Sequence, residues 1–278
     1  MTATYAPARP IWCAGCGHFG VQGAMAHAFA ALQIPPHEIV VLAGIGCSGT
    51  VQNNLGTYGY HALHGRVLPT AAGVHLANPH LTVVAAGGDG DGYAIGMGHL
   101  VHAFRRDLPF VYVVMNNGVY GLTKGQDSPT RHGLSGIGGF DAIDLGLSIP
   151  ATGFLARGFS RHPAQLQRLM TDAIRYAREA KGFAFIEVLS PCVTYNDTYA
   201  SWEQAVVDVA HVDDHDPTDR AAAFAVTTGL AAEGKIATGQ ILLDPDREPR
   251  REPVPAAEDL RPAVHASAYA EILDRYRV

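Results

Sequence analysis

The residues with the most chemistry in them stand close to the start of the chain. "WCAGCGHFG", residues 12–20, sets Cys13 and Cys16 in a C-x-x-C frame next to His18. Two further cysteines, Cys47 and Cys192, stand alone and far apart, and there is no fifth. The second C-x-x-C that the common zinc spacing requires is absent. Four thiolates gathered from distant segments suit a [4Fe–4S] cluster or an all-cysteine zinc site; a redox pair plus two buried cysteines is the bland alternative. A second group of residues lies in "GGDGDGYAIGMGHL" (87–100), which follows an apolar run. Its glycines allow close backbone approach, and a helix opening there would favour a phosphate. Asp89 and Asp91 would repel a bare phosphate. A Mg²⁺ ion bridging carboxylate to phosphate removes that conflict. The next apolar run ends in "MNNGVYGLTKG" (115–125), so Asp89 and Asn117 could share one metal. "GIGCSG" (44–49) matches the G-x-G-x-x-G pattern. No helical stripe follows it, however, and no acid lies between Glu38 and Asp89, so a dinucleotide fold is disfavoured.

These groups must be held by something, and the hydrophobic pattern says what. Residues 38–44, 81–88, 110–116 and 183–190 are short, β-branched and bounded by Gly, Asp, Asn or Pro, which predicts buried strands. Residues 19–32, 66–77, 91–105 and 163–180 predict helices between them. The alternation implies an α/β fold, a mainly parallel sheet with helices on both faces. The 25 residues between Gly90 and Asn116 are one crossover helix plus one strand, so the two strand ends are expected to be neighbours.

The chain has 278 residues, 47% of them hydrophobic, with mean hydropathy +0.06, ample for one large core. A net charge of −6 gives no footing for nucleic-acid binding. No apolar run approaches the roughly 18–20 residues of a membrane helix. "MTATYAPARP" lacks the apolar stretch of a secretory signal, so the expected location is cytoplasmic and structural disulfides are not expected. After Cys192 the composition shifts: "DVAHVDDHDPTD" (208–219) is acidic, and "DPDREPRREPVPAAEDLRP" (244–262) is charged and proline-rich. The expectation is a functional domain over 1–200 and an arm over 201–278 that serves subunit contacts, with a short helix at 266–276.

Taken together the motifs have a family likeness. A GDG followed some 25 residues later by NN looks like a thiamine diphosphate motif. Residues 11–197 resemble the thiamine-binding β subunit of 2-oxoacid:ferredoxin oxidoreductases, most of all the 2-oxoglutarate type. The resemblance is carried by "WCAGCGHFG", "GIGCSG", "HGRVLPTAAGVHLANP", "GGDGDGYAIG", "NNGVYGLTKGQDSPT", "ARGF" and "IEVLSPCVTYND". It implies a thiamine diphosphate-binding fold with Cys13, Cys16, Cys47 and Cys192 as ligands of a [4Fe–4S] cluster. It implies Mg²⁺ held by Asp89, Asn117 and the carbonyl of Val119. Gly90, Asp91, Leu122 and Thr123 would line the diphosphate and thiazolium region, with Ile45, Gly46, Cys47 and Ser48 opposite. His64 would contact the cofactor and Lys124 would stand near the substrate entrance. The implied reaction is oxidative decarboxylation of a 2-oxoacid, the acyl group passing to coenzyme A and the electrons to ferredoxin. The implied partner is an α subunit, in an α2β2 assembly, which would bring the acid that faces the aminopyrimidine. A non-oxidative thiamine-dependent decarboxylase or synthase subunit, and pyruvate or another 2-oxoacid as substrate, are the alternatives.

Overall fold

The computed structural model describes residues 5, 10–130, 140–249 and 274. The four predicted strands are β1 (Ile39–Ala43), β3 (Thr82–Gly88), β4 (Val111–Asn116) and β8 (Ala184–Leu189), and they lie side by side, all parallel. Outside β1 lies β2 (Tyr58–His61), parallel and at the sheet edge with all its residues exposed. Beyond β8 come β7 (Phe154–Phe159), parallel, then β10 (Ile236–Leu243), antiparallel, and β9 (Val206–Asp208) at the far edge. A small separate hairpin joins β5 (Val119–Tyr120) to β6 (Gln126–Asp127).

The period of two along the strands feeds two cores. Val111, Val113 and Met115 of β4 enter one, and Tyr112 and Val114 the other. The first core is closed by α1 (His18–Ala31) and α5 (Pro163–Arg178), which pack on each other. The second is closed by α2 (Val67–Ala77), α3 (Met97–Arg106), α4 (Ala142–Ser148) and α7 (Arg220–Ala232). A further helix, α6 (Tyr199–Ala205), follows the Cys192 loop. Helices thus cover both faces, as a parallel sheet requires.

The structure departs from the sequence reading, or adds to it, in three places. The helix expected over 91–105 is split: a π-turn, Asp91–Ile95, precedes α3. The Gly96 N–H reaches the Asp91 carbonyl at 3.1 Å, five residues back, and a β-carbon on Gly96 would lie 2.5 Å from that oxygen. Widened turns of this kind recur at functional sites. Residues 48–54, with no helical stripe, form a 3-10 turn. The chain after residue 200 does not stand apart, because β9 and β10 continue the main sheet to residue 243, with α7 packed on β10. Its acidic residues include helix caps: Asp219 accepts from the N–H groups of Ala221 and Ala222 at 2.8 and 3.2 Å and so starts α7. The β10 pattern is obscured by Gly239, at φ +110°, and by a bulge between Gln240 and Leu242. The helix expected at 266–276 lies outside the described residues apart from Asp274, as does most of the proline-rich stretch.

Candidate active site

The C-terminal ends of β1, β3 and β4, with the β5–β6 hairpin, enclose a cleft of about 620 Å³, its open mouth included. Strand ends of this kind are where parallel sheets place ligands. Ile45, Gly46, Cys47 and Ser48 line one wall, His64 and Gly88–Asp91 the base, and Asn117 with Val119–Thr123 the other wall. β3 and β4 pair through Gly88 and Met115, so the two strand ends expected to be neighbours are neighbours.

Asp89 is fully buried at the base. Its Oδ2 accepts from the Thr130 hydroxyl at 2.7 Å and its Oδ1 from the Asn117 N–H at 3.4 Å. Burial pushes its carboxyl above the usual range, while hydrogen bonds from Ser128, Thr130 and the Asn117 backbone pull the other way. Asn117 Oδ1 accepts the Val119 N–H at 3.1 Å, and the Val119 carbonyl accepts the Gly121 N–H at 3.0 Å. Each of these two oxygens keeps a second lone pair.

Asp91 is also buried, but its carboxylate is turned into the fold. Its Oδ1 accepts from the N–H groups of Ile45 and Gly65, both at 2.9 Å, and from His64 Nδ1 at 2.7 Å. A β-carbon on Gly44 would collide with this carboxylate, and only glycine fits there. Asp91 therefore buckles the loops after β1 and β2 to the π-turn. A carboxylate can only accept, so His64 Nδ1 carries a proton in this contact, and Nε2 is the ring nitrogen outside it. The His64 side chain is 40% exposed at the cleft. Leu122 and Thr123 line the cleft, whereas Lys124 is exposed on the hairpin crest at φ +75°, outside the lining residues. Tyr120 joins the site without having been singled out in the sequence. Its ring covers Gly90, where any β-carbon would collide with it, and its hydroxyl donates to the Gly90 carbonyl at 3.3 Å.

Beside the cleft the four cysteines, all free, converge from three loops. Cys13 and Cys16 belong to the turn before α1, closed by Cys16 N–H to the Cys13 carbonyl at 3.0 Å. Trp12 Nε1 donates to the Cys47 carbonyl at 2.8 Å, and the Gly17 N–H to the Pro191 carbonyl at 3.1 Å, which stitches the loops together. A β-carbon on Gly121 would lie 3.6 Å from Cys47 Sγ and 3.7 Å from Cys192 Sγ. Burial pushes the Cys16 thiol up to about 11; the His18 N–H opposes this, and the charges of Cys192, Cys47 and Cys13 add to it. Cys47 is raised in the same way, by burial and then by Cys192 and Cys13. His18 is buried and neutral, its pKa lowered to about 4 by desolvation, with Nδ1 2.6 Å from Ser190 Oγ. Among the described residues, no three His, Cys, Asp or Glu side chains are set to hold a single metal ion.

Residues 44–188 match the family model of the C-terminal, thiamine pyrophosphate-binding domain of thiamine pyrophosphate enzymes. The chain is 41% identical over 219 residues to the β subunit of 2-oxoacid:ferredoxin oxidoreductase 2 of Aeropyrum pernix, covering 75% of this chain and 70% of that one. The chain belongs to the β subunits of the 2-oxoacid:ferredoxin oxidoreductases. Another β subunit of these enzymes, from Saccharolobus solfataricus, is 43% identical over 68% of this chain and 64% of its own length. The 2-oxoglutarate oxidoreductase subunit KorB of Mycobacterium tuberculosis is 35% identical over 67% of this chain and 51% of its own. Among solved structures, the 2-oxoglutarate:ferredoxin oxidoreductase of Magnetococcus marinus, with 2-oxoglutarate, coenzyme A and succinyl-CoA bound, superposes with a TM-score of 0.80 at 31% identity. That match covers 100% of this chain and 96% of the other. The cleft thus belongs to the thiamine diphosphate-binding domain of a 2-oxoacid:ferredoxin oxidoreductase β subunit. Among the described residues no helix is long and apolar enough to cross a membrane.

Proposed function

We propose that this chain is the thiamine-bearing half of a cytoplasmic 2-oxoglutarate:ferredoxin oxidoreductase. The enzyme would decarboxylate the 2-oxoacid oxidatively, release CO2, pass the acyl group to coenzyme A and deliver electrons to ferredoxin, reversibly. The observation that carries this is the double membership of Cys47, which lines the cleft and also stands in the group of four thiols. Thiamine diphosphate supplies the electron sink for decarboxylation, and a [4Fe–4S] cluster supplies one-electron capacity beside it.

The residues fit these groups. Asp89, Asn117 Oδ1 and the Val119 carbonyl would hold Mg²⁺, three hard oxygens with lone pairs left. A cation there offsets the burial that opposes ionisation of Asp89. Ile45, Gly46, Ser48, Gly90, Leu122 and Thr123 would line the cofactor, Gly90 under Tyr120. Asp91 would act through His64, holding a proton on Nδ1 and orienting the ring with Nε2 outside that contact. Lys124, exposed on the hairpin crest, would meet substrate at the entrance. Cys13, Cys16, Cys47 and Cys192 would be the cluster ligands. A zinc ion at these four thiols would be redox-inert, and the proposed reaction needs one-electron transfer beside the cleft.

Among the described residues, the acids lining the cleft are Asp89 and Asp91, and both are engaged. The acid for the aminopyrimidine end is therefore assigned to a partner α subunit, in an α2β2 assembly, with residues beyond 249 reserved for subunit contacts. The relatives at 41% and 43% identity are named only for 2-oxoacids, which favours a broader acid range as the second reading.

The test is anaerobic co-expression with the α subunit. The enzyme should contain iron and sulfide, and 2-oxoglutarate should bleach its visible absorbance when coenzyme A is added, ahead of pyruvate and branched 2-oxoacids. Bound zinc without iron, or no bleaching by any of these acids, defeats the proposal; equal bleaching by several selects the broader range.

A further inference from the structure

β8 is buried on both faces, yet it carries a glutamate, Glu187. The facing residue on β7, in direct register, is Arg157, also buried. Charges taken out of water need every lone pair and proton met. Here partners surround them. Arg157 Nε donates to Glu187 Oε2, and Arg157 also reaches Asp141 Oδ1, the N-cap of α4, at 2.7 Å. Glu187 Oε1 accepts from the Tyr93 hydroxyl at 2.8 Å and from Asn116 Nδ2 at 3.1 Å.

Apolar side chains would join two central strands at lower desolvation cost. What they could not do is choose the orientation of the Asn116 amide. With Nδ2 committed to Glu187, Asn116 Oδ1 faces the cleft side. It accepts the Gly118 N–H at 3.0 Å and lies 2.9 Å from Thr130 Oγ1. A flipped amide would set its NH2 against the Gly118 N–H, and Glu187 would lose a donor. Thr130 Oγ1 is in turn 2.7 Å from Asp89 Oδ2, with Ser128 Oγ at 3.2 Å. The hydroxyl's one proton serves one acceptor at a time, so Asp89 is held in place without being saturated.

We propose that Glu187, Asn116 and Thr130 form a buried positioning chain that fixes the Asp89 carboxylate and the Gly118 turn, with Arg157 anchoring its far end. None of the three lines the cleft; they act through Asp89 and the turn. The proposal rests on the reading of Asp89 as a magnesium ligand.

The experiment uses the enzyme purified with its partner subunit and measures thiamine diphosphate binding by calorimetry as Mg²⁺ is titrated. Thr130→Val, close in shape but without the hydroxyl, should raise the Mg²⁺ concentration for half-saturation about tenfold, the equivalent of one net hydrogen bond. Thr130→Ser should restore it to within about threefold of the parent. Both should keep the melting temperature and the visible absorbance. Asp141→Asn, which weakens only the distal anchor, should lower the melting temperature and leave the Mg²⁺ dependence alone. A parental Mg²⁺ dependence in Thr130→Val, or Thr130→Ser as impaired as Thr130→Val, overturns the positioning chain. Asp89→Ala is the separate control: it should abolish Mg²⁺-dependent binding, and if it does not, the magnesium reading itself falls.

Discussion

At the scale of single residues, Cys192 is the most informative thiol. It lies 145 positions from the nearest other cysteine in sequence, yet a β-carbon on Gly121 would touch both its sulfur and that of Cys47. If all four thiols hold one cluster, Cys192→Ser should lower bound iron and the rate of ferredoxin reduction together, measured on anaerobically purified enzyme. Full iron occupancy with normal turnover would remove Cys192 from the ligand set. The cysteines could be read from sequence by count and spacing, and Asp89 and Asn117 by the strand ends that carry them. Asp91 was legible as a cleft residue but not as the buckle it is, because its partners, Ile45, His64 and Gly65, are 26 to 46 positions away. Thr130 and Tyr120 lie inside the quoted stretch 116–130, but nothing in it marked either as a site residue. A threonine after a proline and a tyrosine in a hairpin are ordinary in isolation; only the folded contacts with Asp89 and Gly90 give them weight.

At the scale of elements, the hairpin β5–β6 and the π-turn are locked to each other through Tyr120 and Gly90. Gly90→Ala should displace the ring, destabilise the fold by about 1–3 kcal/mol in chemical denaturation, and weaken cofactor binding. Tyr120→Ala in the same chain should recover the stability, since it removes the atoms that clash. Loss in the single variant without recovery in the double would place the strain elsewhere. The central strands were legible because both their faces are buried, which leaves continuous apolar runs such as "FVYVVMN". β2, β9 and β10 were not, for they lie at or near sheet edges, where burial no longer disciplines the pattern. β7 hid for another reason: its run is broken by Arg157, whose charge is matched by a glutamate on the neighbouring strand.

At the scale of the whole molecule, the cleft supplies two engaged carboxylates and, among the described residues, no free acid. The chain purified alone should therefore bind thiamine diphosphate poorly and show negligible 2-oxoacid-dependent dye reduction. Mixing with its α subunit should restore both. Robust turnover by the isolated chain would require an acid of its own, and the half-site picture would fail.

β2 carries a consequence of another kind. It ends the sheet at one edge, and Tyr58 and Tyr60 are 59% and 53% exposed on it. An edge row of amides beside aromatic rings is a template on which another strand can grow. Left uncovered, such an edge favours aggregation, so the amount of this chain that the cell makes becomes a matter of solubility. Overproduced alone, the chain should partition into the insoluble fraction, and Tyr58→Lys with Tyr60→Lys should return it to the supernatant. Equal solubility with and without those charges would show that the edge is inert, and that the level of synthesis is free to drift.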